Sequence, residues 1–477
     1  MKQNIFKKFG MFILIAVMFS SCNWIDTDIN INPDAPTSVP MDLLLPSIEA
    51  RFAYNVVQSN DNERTLSLWI QQMTGVSRQS QAEGSYSYRA GDANNMWSDV
   101  YAGVLMDAKQ LMEMAQQPKT KSTQFEAVGK IITAVTLGHA TDLWGDIPYS
   151  EALLGAENLQ PAFDSQADIY NTIQSLLDEG INLLKNPSPD DVFALDGDII
   201  FNGNVDQWIA AAYALKARYA LHLSKVDNDA YNKALGYLGN AMTDASGSMY
   251  YYYTSGNNNN ANPLFLFMQD RGDIRVSDVM IDKLKATNDP RLPMYAYPIT
   301  DTLEYDGNIY PPGSYVGAPA GVPLEAASQP GPGIASSDSK TPVITYTEVK
   351  FIEAECQVKL GDEAAAKAAV KEAVKASLEE YGVFDQVWFD AVAAEIDGLS
   401  GDALYKRIME EKWTALMYNF EAYNDWRRTG YPELVPNPAA GGKDIPRRFP
   451  YASDPITYNP NTPQNVTIWD RVWWDKQ

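Results

Sequence analysis

Apolar residues recur at helical spacing over most of the chain beyond Met41. Val128, Ile131, Ile132, Val135 and Leu137 predict a helix over Phe125 to Asp142. Ile169, Ile173, Leu176, Leu177 and Leu184 predict another after a loop. Trp208 to Leu223 is rich in alanine and large apolar residues. The turn Val226-Asp227-Asn228-Asp229 then leads into a partner helix over Tyr231 to Met242. Tyr346 to Leu360 is followed in the same way, across Gly361-Asp362, by a helix to about Tyr381 with Val370, Val374 and Leu378 on one face. Leu404 to Trp426 reads as one further long helix. The two helix–turn–helix segments overlay: Ala211, Ala212 and Leu221 with Ala234 and Leu235 correspond to Phe351, Ala354 and Leu360 with Ala365, Ala369 and Val370. Small residues that let paired helices approach closely are the logic of tetratricopeptide repeats. No clean repeat period accompanies them, which leaves an ordinary helical bundle as the alternative. The expected fold is mostly α, with tetratricopeptide-like helical pairs, long irregular loops and few short strands.

The pattern breaks over about 245–345. This stretch opens on Tyr250 to Tyr253, continues through Asn257 to Asn260, and becomes rich in proline and glycine from Asp306 to Pro342, with one helix expected near Ser277 to Ala286. Long irregular segments inside a folded protein are commonly functional or disordered. Gly430 to Gln477 is also loop-rich. Its Trp469, Trp473 and Trp474 are expected to pack the C-terminus back onto the body.

The N-terminus has a different character. Lys2, Lys7 and Lys8 precede an apolar run from Phe9 to Phe19, then Ser20, Ser21 and Cys22. A basic start, a short apolar core and small residues before a cysteine form the layout of a bacterial lipoprotein signal, with Cys22 as the lipidated residue. The run is too short to span a bilayer, which takes ~20 helical residues. Phe19 stands where leucine is usual, and a plain secretory signal with an incidental cysteine is the alternative reading. The expected division is a signal peptide over 1–21, a tether over 22–40 and a single helical domain over 41–477 with its loop-rich insertion. Within the tether, Asp26, Asp28, Asn30, Asn32 and Asp34 alternate like a calcium loop. Ile31 and Thr37 occupy the positions that need glycine and a bidentate glutamate, so no metal is assigned.

A net charge of −24 argues against nucleic acid and against electrostatic docking on anionic lipid. Cys22 and Cys356 are the only cysteines, so lipidation of Cys22 leaves no intramolecular disulfide. His139 and His222 are the only histidines, which leaves little material for metal or triad chemistry. No nucleophile-elbow, zinc-helix, phosphate-loop or paired-cysteine motif occurs, and no cofactor is expected. Close acidic pairs such as Glu353/Glu355 and Glu410/Glu411 are unavoidable in so acidic a chain and do not by themselves make a glycosidase.

Binding fits the composition better. Tyrosine outnumbers phenylalanine 27 to 16, and tyrosine joins an apolar face to a hydroxyl. A sugar presents an apolar face and a rim of hydroxyls, met by aromatics ringed with polar side chains. The loop from Gly75 to Trp97 has that content in Arg78, Tyr86, Tyr88 and Arg89, the two tyrosines sharing a face if extended. A second candidate is Tyr250 to Asn260, with Tyr251, Tyr253 and Asn258; one alternate pair of its tyrosines is expected in the core. A third is the Pro/Gly-rich stretch with Tyr305, Tyr310 and Tyr315. For any single tyrosine, core packing is the competing reading.

Several segments together resemble one family. Asp142-Leu143-Trp144-Gly145-Asp146-Ile147-Pro148-Tyr149-Ser150-Glu151-Ala152, the helix Tyr346-Thr347-Glu348 through Glu353-Ala354-Glu355 to Gly361, and Phe420-Glu421-Ala422-Tyr423 through Trp426-Arg427-Arg428-Thr429-Gly430 are similar to segments of the SusD/RagB-like outer-membrane lipoproteins. Cys356 stands where the family usually has alanine, and Asn424 where many members have arginine, which marks a divergent branch. The resemblance spans nearly the whole chain beyond the signal. It implies a cell-surface lipoprotein of the outer membrane, non-catalytic, that binds a glycan or other oligomeric nutrient and partners a SusC-like TonB-dependent transporter. Membrane contact would be through the lipid alone. It also implies that the loop before the Trp97-x-x-x-Tyr101 helix contributes to the ligand site, which adds Trp97 to the candidates. The motifs themselves are expected to be structural. A helical glycoside hydrolase and a structural surface adhesin are the alternative functions.

Overall fold

The helix Thr123–Trp144 is buried on nearly every face; only Gln124, Glu126 and Lys130 escape. The structure, a computed structural model, describes residues 39–59, 61–255 and 260–476. The Ser122 hydroxyl accepts from the Phe125 amide and starts this helix. Gly138 lets Tyr219 of a neighbouring helix lie against its backbone: a Cβ there would sit 2.2 Å from the tyrosine oxygen. Thr123–Trp144 pairs with Gln166–Lys185, Val205–His222 with Ala230–Leu238, and Tyr346–Leu360 with Glu363–Glu380. Successive pairs stack, Gln166–Lys185 on Val205–His222 and Ala230–Leu238 on Tyr346–Leu360. This is the tetratricopeptide-like arrangement the alanine pattern predicts.

The third pair shows how the sequence writes it. Thr345 caps the Glu348 amide, Gly361 takes a left-handed φ of 89° that ends the helix, and Asp362 caps Ala365 of the next. Each cap is worth ~1 kcal/mol. Buried Ala354, Ala366, Ala369 and Ala373 then let the two helices close on Phe351 and Val370.

The long helix expected over Leu404 to Trp426 is instead two, Gly401–Ala415 and Phe420–Thr429. Buried Gln72 causes the break: its amide donates to the Trp413 and Leu416 carbonyls and its oxygen accepts from the Tyr418 amide. Tyr418 adopts a φ of 56°, and Asn419 caps the new helix at Glu421. Apolar residues continue across the break in Leu416, Met417 and Tyr418, so periodicity alone could not reveal it.

Within 245–345, Met249–Tyr251 pairs antiparallel with Thr341–Ile344, Ile274–Val276 pairs with Met73–Gly75, and Leu303–Tyr305 forms a hairpin with Asn308–Tyr310. The expected helix is Asp278–Ala286, capped by Ser277.

The three family-like segments meet in one buried polar network. Asp142 accepts from Tyr170, Asn424 and Trp474, and its carbonyl accepts from Arg427. Glu421 lies 2.8 Å from His222 and 3.6 Å from Arg218, which also pairs with Glu348 at 2.6 Å. In a second buried cluster on the same helices, Arg428 joins Glu355 to Asp425. These segments therefore hold helices together, and Trp474 docks the C-terminus on the same network.

Candidate functional site

The strand Met73–Gly75, by pairing with Ile274–Val276, brings the loop after it against the insertion. Gly75 is required there, since a Cβ would fall 2.0 Å from the Ser80 carbonyl oxygen. The short helix Arg78–Gly84 that follows is pinned by Glu83. Glu83 accepts three bonds from Arg64 at 2.9, 2.9 and 3.1 Å and one from Gln79 at 2.8 Å, while its carbonyl accepts from the Trp69 indole. Burial raises the Glu83 carboxyl, and Arg64 only partly opposes that.

Val76 then packs with Ala318, Leu324 and Ala327 of the insertion. Arg275 fixes the next residues by donating from Nε to the Glu325 carbonyl at 2.8 Å. Beyond this contact Ile299, Leu303 and Val316 form a small apolar cluster with Tyr305 and Tyr310, and the Tyr297 amide donates to the Gln329 carbonyl at 2.9 Å. Between these strands of loop lies a cleft of 540 Å³. Tyr297, 44 % exposed, lines it together with Thr300, Asp301, Thr302, Glu325 and Gln329. The volume lies within the ~300–1,000 Å³ typical of small-ligand sites. An accessible aromatic ring, two hydroxyls, an amide and two carboxylates are the set that grips a polyhydroxylated ring.

The sequence-derived candidates divide around this cleft. Arg78 and Arg89 are exposed, Arg78 on the loop whose Val76 touches the cleft wall. Tyr310 is half-buried in the apolar cluster beside it, and Tyr315 is half-buried against the main core. Tyr86 and Tyr88 are core residues, which removes them from a stacking surface. Tyr86 accepts from the Asn437 amide, and Tyr88 stacks on Phe449 with ring centroids 4.4 Å apart. Trp97 is half-buried among Tyr101, Trp144 and Phe163. Tyr251 and Tyr253 are the inward pair, packed with Ala53 and bonded to Asn260 and Thr341. Tyr252, 61 % exposed, is the outward one, while Tyr250 is held by Glu380 and Lys340. Pairing of Met249–Tyr251 with Thr341–Ile344 decides this. Asn258 and Cys22 lie outside the described residues.

Tyr297 and Gln329 were not foreseen. The only signal in the sequence was Tyr297-Pro298 inside loop country, which carries no periodicity. Among the described residues, no group of three or more acidic, histidine or cysteine side chains could hold a metal, and no helix is long and apolar enough to cross a membrane.

Residues 33–452 match the SusD-like family described as starch-binding and associating with the outer membrane. Among solved structures, a SusD/RagB family protein of Bacteroides thetaiotaomicron superposes with a TM-score of 0.78 at 24 % identity, covering 92 % of this chain and 99 % of its own. A chitin-binding protein superposes with a TM-score of 0.77 at 24 % identity over 92 % of this chain and 100 % of its own. A chitin-binding SusD homologue of Flavobacterium johnsoniae gives 0.74 at 21 % identity over 92 % and 97 %. No protein of curated function matches the sequence.

Proposed function

The chain belongs to the SusD-like family, and on that premise we propose that it captures a glycan at the outer membrane, without turnover, and passes it to a TonB-dependent transporter. Cys22 carries the lipid that holds it there, and 22–40 forms the tether to the helical unit. The observation that supports capture most directly is the 540 Å³ cleft with Tyr297 at its edge. Tyr297 stacks on the apolar face of a sugar; Gln329, Thr300 and Thr302 bond its hydroxyls; Asp301 and Glu325 accept from others. Arg78, on the loop whose Val76 packs against the cleft wall, and Tyr310 extend the surface for longer chains.

Thermal-shift screening of the purified protein against a polysaccharide and peptide panel identifies the ligand class. A ligand at ~100 Kd adds ~2.7 kcal/mol. Tyr297→Ala is expected to abolish the shift while leaving the melting temperature of the free protein unchanged. An undiminished shift refutes the cleft, and release of product from an incubated oligosaccharide refutes the non-catalytic reading.

A further inference from the structure

The chain between Gln166–Lys185 and Val205–His222 has no regular structure, and one carboxylate holds its last part in shape. Asp198, 5 % exposed, accepts from the Ile200 and Phe201 amides at 2.9 and 3.1 Å, and from the Gly203 amide and the Trp208 indole at 2.8 Å each. Four donors on two oxygens are what an ionised carboxylate takes.

Glu49 reaches the same place from the helix Met41–Arg51. It is fully buried, and its Oε2 accepts from the Ile199 amide at 2.8 Å. Its Oε1 has no donor among the described residues. The carboxyl instead stands within hydrogen-bonding reach of Asp198. Backbone contact reinforces the approach, since a Cβ on Gly197 would collide with the Asp42 carbonyl. Two ionised carboxylates cannot share so dry a site, whereas one proton between them turns the repulsion into a bond. Burial raises the Glu49 carboxyl well above its ordinary range, Asp198 raises it further, and the Ile199 amide opposes them only in part. The other titratable group facing Glu49 is Tyr251, from the strand Met249–Tyr251. Asp99–Leu105, Met106–Ala115 and Thr123–Trp144 also pack on this helix and, among the described residues, bring no cation to Glu49.

We propose that Glu49 and Asp198 form a one-proton clasp that fastens Met41–Arg51 to the 186–204 loop in acid and loosens as pH rises. Glu49 holds the proton and donates it to Asp198. Opening exposes Glu49 to water, where it ionises as an ordinary carboxyl. The open form therefore binds this proton less tightly than the closed one. Opening becomes more favourable by ~10-fold per pH unit above the ordinary carboxyl range, for as long as the closed form keeps its proton. What loosens is the helix that directly follows 22–40 in the chain. The inference does not rest on what the protein captures.

Hydrogen exchange of the full chain in detergent tests this, read as protection factors so that the intrinsic pH dependence of exchange cancels. Between pH ~5 and ~8 the amides of Met41–Arg51 and of 199–203 are expected to lose at least ~10-fold in protection relative to the centre of Thr123–Trp144. Glu49→Gln keeps a donor on Asp198 at every pH, so its ratio is expected to stay constant. The infrared difference between the two proteins at pH ~6 should contain a protonated-carboxyl band that the glutamine variant lacks. A constant ratio in the natural protein, which needs no variant to be read, overturns the proposal. So does the same fall in Glu49→Gln, or the absence of that band.

Discussion

His222 offers a sharp test of how the buried network holds the helices together. Its Nε2 lies 2.8 Å from Glu421, and its Nδ1 lies 2.9 Å from the Tyr170 oxygen and 3.4 Å from Asp142. Burial lowers the affinity of the ring for its proton, but Glu421 and Asp142 outweigh that and push its pKa up to about 9 from the ordinary 6.5. Glu421, buried beside His222 and Arg218, is correspondingly held well below the carboxylate range. The gap between 6.5 and about 9 corresponds to ~3 kcal/mol of folding free energy. Because the folded protein binds this proton more tightly than the unfolded chain, the contribution is complete below pH 6.5. It shrinks as pH rises from there and is gone above about 9. For a chain of this size ~3 kcal/mol is a fall of ~3 °C in melting temperature, since unfolding entropy is ~2 cal/mol/K per residue. The assay is a melting curve at each pH for the natural protein and for His222→Gln, in which this part of the slope should vanish. Ring-labelled histidine NMR checks the cause, since only two histidines are present. One signal should titrate near 9, and that of His139, whose pKa burial lowers, should titrate below 6.5. Two rings titrating near 6.5, or the same pH slope in both proteins, would refute the reasoning.

Arg428→Met should cost ~3–5 kcal/mol in urea unfolding by leaving Glu355 buried without its partner. The double variant Glu355→Leu/Arg428→Met should cost clearly less than the sum of the two single changes, and strict additivity would contradict the pairing. Burial and the charge of Glu421 raise the Glu63 carboxyl, and its Oε1 has no hydrogen-bond partner among the described residues. Glu63→Gln should therefore leave the urea midpoint at pH 8 unchanged or higher; a loss above ~1 kcal/mol would contradict this. Cys22→Ala should move the protein from the membrane to the soluble fraction, and an alanine variant still membrane-bound in high salt would refute the lipid anchor.

Helix identity was legible wherever apolar spacing and a local stop signal coincided, as at Thr345 and Gly361-Asp362, because caps and periodicity act within a few residues. The family-like segments were legible too, and their order along the chain was enough to suggest the family. Their purpose was not. Asp142, Glu348 and Glu421 are far apart in sequence, and only packing shows that they share one buried network. The break after Ala415 was hidden for the same reason, since Gln72, hundreds of residues earlier, makes it.

The candidate site divides on the same line. Composition directed attention to the Tyr-rich loops, since it measures which side chains are available. It could not assign a face to any tyrosine. Tyr86, Tyr88, Tyr251 and Tyr253 turn inward because strand pairing and the aromatic core claim them, whereas Tyr297 turns outward beside Gln329 through one backbone bond across the insertion. Sequence alone determined the helical pairs and the acidic charge. Tertiary structure decided which rings meet solvent, because in loops without a repeating pattern the direction of a side chain is set by long-range contacts.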